Sequence, residues 1–218
     1  MRDCVLLDFD GTITYRDTTR YLIVELLKIR PLRFIGVVKS LLIMAISGKS
    51  KSVQRTKEKI IGYLLADLSD SDILVSMNKF KKRIEPLFRP KILKIILSHH
   101  KNNNLILVVS ASPTFVIEKS LSDLPVTVLG TDYIRNKGIY SGQIQGLSCF
   151  GHNKVDKIRD WQNKSGLDLH FIEAWSDSLS DIHMLKMAKV RYWIGEEQRK
   201  SLFIDKDPGG IFVTDPLR

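Results

Sequence analysis

The spacing of apolar residues along the chain changes character twice. Val5, Leu6 and Leu7 form a short continuous apolar run, which predicts a buried strand, and the polar stretch Asp8-Phe9-Asp10-Gly11-Thr12 follows at its C-terminal end. From residue 14 to residue 87 the spacing is helical. Residues 18–29 predict an amphipathic helix stopped by Pro31, and a second helix runs to about residue 46 and is broken at Ser47-Gly48-Lys49-Ser50. Two more cover 53–65 and 71–84, the latter with an N-cap in Ser69-Asp70-Ser71-Asp72.

Beyond that region helices and strands alternate. Helices are predicted over 90–99, 113–121, 154–161 and 179–188, and strands over 105–109, 126–129, 169–174 and 190–194. Residues 133–144 predict a hairpin turning at Asn136-Lys137-Gly138. Alternation of this kind implies an α/β fold, a doubly wound parallel sheet with helices on both faces. The long helical stretch then reads as an insertion after the first strand. We expect a core domain formed by 1–16 and 88–218 and a helical cap domain over 17–87.

Composition narrows the setting. The 218 residues are 44% hydrophobic and 27% charged, as in a globular protein, and the formal net charge of +10 favours anionic partners. Cys4 and Cys149 form no disulfide framework and no metal-site spacing, and the first residues run into a strand without the charged leader and apolar core of an export signal. A cytoplasmic location is the expectation. The most apolar segment, 31–46, is interrupted by Arg33 and Lys39 and is shorter than the ~20 apolar residues a spanning helix needs. It reads as a helix buried in the cap; Arg30, Arg33 and Lys39 would alternatively suit peripheral contact with an anionic inner membrane face. The basic run 78–91 reads as a solvated face, and no nucleic-acid partner is expected.

Four predicted strand or helix ends carry polar residues of one chemical theme: Asp8 and Asp10, then Ser110 in VVSAS, Lys154 in GHNKV, and Asp177 and Asp181 in WSDSLSD. Ligands of open α/β sheets bind where such strand ends converge. A carboxylate such as Asp8 can attack phosphorus and split a phosphate-ester hydrolysis into two displacements. A second acid, Asp10, can protonate the leaving oxygen and then take a proton from water. Lys154 and a Mg²⁺ held by carboxylates such as Asp177 would neutralise the transferring group. Ser110 and the backbone N–H groups of Gly11 and Ala111 would cradle its oxygens.

The set DFDGT, Ser110, Lys154 and SDSLSD, in that order, resembles the four motifs of the haloacid dehalogenase-like hydrolase superfamily. The helical insertion resembles its phosphoserine-phosphatase-like branch. That resemblance implies Asp8 as nucleophile, Asp10 as general acid/base, and Ser110 and Lys154 as phosphate-binding groups. It implies Asp8, the Asp10 carbonyl and Asp177 as Mg²⁺ ligands, Asp181 as an orienting acid, and Asp17 as a substrate contact from the cap. Gly11, Ala111, Ser112 and Ser180 depart from the phosphoserine phosphatase pattern. The forms SASPTF, CFGHNK and WSDSLSD are closer to bacterial phosphatases of the superfamily with varied substrates, phosphatidylglycerophosphate phosphatases among them. The expected activity is Mg²⁺-dependent hydrolysis of a small phosphorylated metabolite. The alternatives are a lipid-phosphate substrate, transfer to another acceptor, or a binding module on a retired phosphatase scaffold.

Overall fold

The computed structural model describes residues 1–47 and 50–215, and of residues 43–47, 50 and 51 it describes the backbone alone. The break expected at Ser47-Gly48-Lys49-Ser50 thus lies partly outside the described residues. The chain divides into two compact units. The first comprises Met1–Asp17, Pro86–Thr131 and Leu147–Arg218, and the second Thr18–Glu85 and Asp132–Gly146.

The first unit is built on a parallel sheet. Its strands are β1 (Arg2–Leu7), β2 (Leu105–Pro113), β3 (Thr127–Thr131), β6 (Leu169–Ser176), β7 (Val190–Gly195) and β8 (Ile211–Thr214), in the order β3-β2-β1-β6-β7-β8. All neighbours pair in parallel. Helices α5 (Pro90–Lys101), α6 (Thr114–Ser120), α7 (Asn153–Ser165), α8 (Ile182–Leu185) and α9 (Lys200–Lys206) complete the unit. The chain starts at the centre, so β1 lies where the order reverses, the place at which such sheets open a crevice at their C-terminal ends.

Continuous apolar strands follow from this arrangement, because both faces are covered. Cys4, Leu6, Leu107, Val109, Ala174 and Trp193 share one buried cluster with Ile158 of α7, Met184 and Leu185 of α8, and Phe203 of α9. The intervening residues Val5, Leu7, Ile106 and Val108 are equally buried, and α5 and α6 pack against β2. The sheet predicted from the alternation of elements is therefore present. Two elements gave no periodic signal: α9 is only two turns long, and β8 is a four-residue edge strand entered through Pro208-Gly209-Gly210.

The second unit contains α1 (Thr19–Ile29), α2 (Phe34–Ser47), α3 (Ser50–Leu65), α4 (Asp70–Ile84) and the antiparallel hairpin β4 (Tyr133–Asn136) and β5 (Ile139–Ile144). The N-cap of α4 is a capping box: Asp72 N–H donates to Ser69 Oγ (3.3 Å) and Ser69 N–H to Asp72 Oδ2 (3.0 Å). Helices α1 and α4 are tied by Glu25, whose buried carboxylate accepts from Lys28 (2.7 Å) and Arg83 (3.1 Å).

Two features differ from the sequence expectation. The hairpin, assigned there to the stretch 88–218, packs with the helices. A Cβ on Gly62 would stand 2.2 Å from the Gly142 carbonyl oxygen, and one on Gly142 2.4 Å from that of Gly62, so two glycines let helix and hairpin backbones meet. Tyr140 N–H donates to Leu68 O (2.9 Å), and Arg135 pairs with Asp70 (2.9 Å). The second difference concerns α2. Read as a buried cap helix, it instead buries Val37 and leaves Phe34, Ile35, Leu41 and Leu42 exposed. Its apolar stripe exceeds what its neighbours cover. Among the described residues, no helix is long and apolar enough to cross a membrane.

Candidate active site

Asp8 continues the β1 ladder by one bond, its N–H donating to Trp175 O on β6 at 3.0 Å, and then the chain turns away from the sheet. The turn is closed by Thr14, whose N–H donates to Phe9 O (3.1 Å). Gly11 sits inside it at φ +81°, and a Cβ there would lie 2.2 Å from Asp177 Oδ2. Only glycine satisfies both the left-handed backbone and that close approach. The Gly11 N–H donates to Thr14 Oγ1 (3.3 Å). The glycine also gives Asp177 the space it occupies.

Asp177 follows β6 directly and is held by Thr12. The fully buried Thr12 hydroxyl accepts from Asp177 N–H (3.0 Å) and donates to Asp177 Oδ1 (3.4 Å). Arg199 donates to the Asp177 carbonyl (3.2 Å). The buried Arg89 guanidinium stacks on Tyr15 (4.4 Å), donates to Gly11 O (3.3 Å) and pairs with Asp215 (2.8 Å). The sequence reading gave no role to Thr12 or Arg199, and it placed Arg89 on a solvated basic face, whereas the ion pair with Asp215 and the ring of Tyr15 let it lie buried at 1% exposure.

Lys154, in the first turn of α7, is 2% exposed and lies between two acids, with Nζ 2.7 Å from Asp8 Oδ1 and 2.7 Å from Asp181 Oδ2. Asp181 also accepts from Ser176 Oγ (2.8 Å) and Ser180 Oγ (3.3 Å). Asp181 therefore orients the lysine, and the hydroxyls of Ser176 and Ser180 orient Asp181. On the other side of β1, Ser110, Ala111 and Ser112 fall where the pairing of β2 with β3 shifts between Val109 and Pro113. Irregularities of this kind re-aim side chains beside active sites. Ser110 is buried and its Oγ accepts from Ser112 N–H (3.3 Å), while the Ala111 carbonyl accepts from Thr131 Oγ1 (2.8 Å). Ser112 Oγ donates to Asp10 Oδ2 at 2.5 Å. Asp17 is exposed, at the last position of the first unit's opening segment.

The electrostatics are those of acids crowded around one cation. Burial raises the Asp8 carboxyl well above the usual range; Lys154 opposes this, and Asp181 and Asp177 add to it. Burial, with Asp181, pushes Asp177 up to about 6 against Arg199 and Lys154. Burial works against the Lys154 charge, but Asp181 and Asp8 outweigh it and hold the ammonium above its ordinary value. Three acids with one lysine are a donor set that a divalent cation would complete. Among the described residues no three acidic, histidine or cysteine side chains form a ready-made cage.

Comparison with known proteins identifies the family and the fold. The family model for haloacid dehalogenase-like hydrolases matches residues 5–186, a span that runs from β1 through Asp181. A probable phosphatase of Mycobacterium tuberculosis is 29% identical over 104 residues, 47% of this chain and 36% of that protein. The matched part is thus little more than a third of that relative. Among solved structures, a protein of unknown function from Bordetella pertussis Tohama I has a TM-score of 0.79 at 20% identity, covering 98% of each chain. A substrate-bound phosphoserine phosphatase has a TM-score of 0.60 at 20% identity, over 89% of this chain and 86% of that one. At such identity the likeness of the structures is one of fold. With the family match spanning most of its length and the acids of β1 and β6 gathered around Lys154, this chain belongs to the haloacid dehalogenase-like hydrolases.

Proposed function

We propose that the protein hydrolyses phosphate monoesters through an aspartyl-phosphate on Asp8, with Mg²⁺ as cofactor and a small phosphorylated metabolite as substrate. The observation that carries this reading is the buried Lys154, held at 2.7 Å by both Asp8 and Asp181 beside Asp177. A cation so placed lowers the cost of bringing a dianionic phosphate to an ionised carboxylate. Asp8 attacks phosphorus as the ester oxygen leaves, and Asp10, steadied by Ser112, gives that oxygen a proton. Water then attacks the acyl phosphate while Asp10 takes a proton from it, which returns Asp8 and releases phosphate. Lys154 and Ser110 hold the non-bridging oxygens. Asp8, the Asp10 carbonyl and Asp177 would hold Mg²⁺, which supplies the remaining neutralisation of phosphate charge. Asp17 is the proposed further contact to the substrate.

The test is turnover of a panel of phosphate esters, with a lipid phosphate in mixed micelles included, in Mg²⁺ or EDTA. Wild type is expected to release phosphate from small soluble esters only in Mg²⁺, and Asp8→Asn to release none while retaining its circular dichroism. Mg²⁺-dependent turnover by Asp8→Asn would overturn the mechanism. Turnover confined to the lipid phosphate would replace the proposed substrate class, and transfer to an added alcohol in preference to water would replace hydrolysis.

A further inference from the structure

The apolar stripe of α2 has no covering partner within the described residues of its own unit. Val37 is 2% exposed and Gly36 faces the Tyr63 ring of α3, where a Cβ would stand 2.9 Å from Cε1. The opposite side is bare: Ile35 is 79% exposed, Leu42 62% and Phe34 57%, with Val38 and Leu41 beside them. Leu32, in the turn before the helix, is 93% exposed. At 3.6 residues per turn these positions of α2 span an arc of roughly 120°, the width of the apolar stripe of an amphipathic helix. Lys39 borders the arc and is itself exposed.

Charge selects the occupant. From Leu26 to Lys57 the chain carries eight Lys and Arg and no Asp or Glu; two of them are paired with acids outside the segment, Lys28 with Glu25 (2.7 Å) and Arg33 with Asp67 (3.4 Å). Two of the arginines shape the turn. Arg30 donates to Asp67 O (2.8 Å), and Arg33 bonds Tyr63 O and Ala66 O (3.1 Å) and stacks on Tyr63 (5.0 Å). These bonds fix the turn that presents Leu32 and Phe34. A second copy of the chain would bring the same acid-free segment against itself, cation facing cation, and the net charge of +10 would oppose it further. An apolar stripe bordered by lysine within an acid-free segment is complementary to a surface with an apolar interior and an anionic face.

We infer that the exposed face of α2, with Leu32, docks the protein peripherally on an anionic lipid bilayer. The apolar side chains enter the boundary between headgroups and acyl chains, and Lys39 lies against the headgroups. This goes beyond the phosphatase reading and does not depend on it.

Flotation of the full chain with vesicles of an equal mixture of phosphatidylcholine and phosphatidylglycerol tests the inference. Wild type and Asp8→Asn are both expected to float with these vesicles, and less with phosphatidylcholine alone. The double substitution Ile35→Asp and Leu42→Asp should reduce partitioning by at least about tenfold, since each change removes apolar burial and adds repulsion. Lys39→Glu should reduce it several-fold, and added salt should weaken wild-type binding. Tryptophan emission of Phe34→Trp should shift to shorter wavelength on the mixed vesicles. Absence of wild-type flotation, or equal flotation of wild type and the double variant, would overturn the inference. So would a concentration-dependent dimer that the double substitution disperses, which would make a second copy the occupant.

Discussion

Lys154→Met should destabilise the first unit strongly, and more at high pH than at low. The substitution keeps an unbranched apolar stem but removes the cation that stands 2.7 Å from both Asp8 and Asp181, in a place where the lysine is 2% exposed. Breaking a buried ion pair by deleting one partner costs about 3–5 kcal/mol, because the other charge stays buried and uncompensated. The sign of the pH effect follows from Asp8. Burial already holds its folded-state pKa above the unfolded value, and Lys154 is the chief group lowering it. Without the lysine that value rises further, so the folded state takes up a proton at low pH and loses stability as pH climbs through the raised pKa. The deficit should grow as pH rises and shrink as it falls, by about 1.4 kcal/mol for each tenfold rise in the proton affinity of Asp8.

Urea unfolding in EDTA, followed by tryptophan fluorescence, is a suitable assay because Trp161, Trp175 and Trp193 all lie in the first unit. In thermal melts the same loss corresponds to roughly 6–20 °C for a chain of this size. A loss below about 1 kcal/mol, or a deficit that grows as pH falls, would refute the argument that Lys154 compensates buried acids.

Two further substitutions probe the geometry around the lysine. Gly11→Ala places a methyl group 2.2 Å from Asp177 Oδ2 at φ +81°, so it should displace the carboxylate and lower kcat by about 10²-fold without loss of helix content; near-normal turnover would show that Asp177 tolerates the shift. Ser112→Ala deletes the 2.5 Å bond to Asp10, a hydrogen bond to a charged group worth about 1.5–3 kcal/mol, and should lower kcat by about tenfold or more with KM little changed. A rise in KM at constant kcat would place Ser112 in substrate binding instead.

Much of this site was legible in the sequence because parallel strands deliver their C-terminal residues to one edge. Asp8 and Asp177 are each the first residue after an apolar strand, and β1 lies next to β6. The residues that steady them were not legible. Thr12 reaches Asp177 across 165 positions, Ser112 reaches Asp10 across 102, and Arg89 reaches Gly11 across 78. Nothing local marks a threonine or serine as the partner of a distant acid. For the hairpin, the Gly62 and Gly142 contact is equally non-local, and neither glycine differs in sequence from a turn residue. In α2 periodicity gave the stripe but could not say which side another helix would cover; Gly36 and Val37 take that place, and Phe34 and Leu42 do not.

The proposed mechanism requires that Asp8 become phosphorylated during turnover. Rapid acid quenching of enzyme mixed with a turned-over phosphate ester in Mg²⁺, followed by borohydride reduction and peptide mapping, reads it directly. Homoserine is expected in place of aspartate at position 8, absent when ester is omitted and absent in Asp8→Asn. Steady turnover with residue 8 unmodified at every quench time, or modification at another carboxylate, would contradict it.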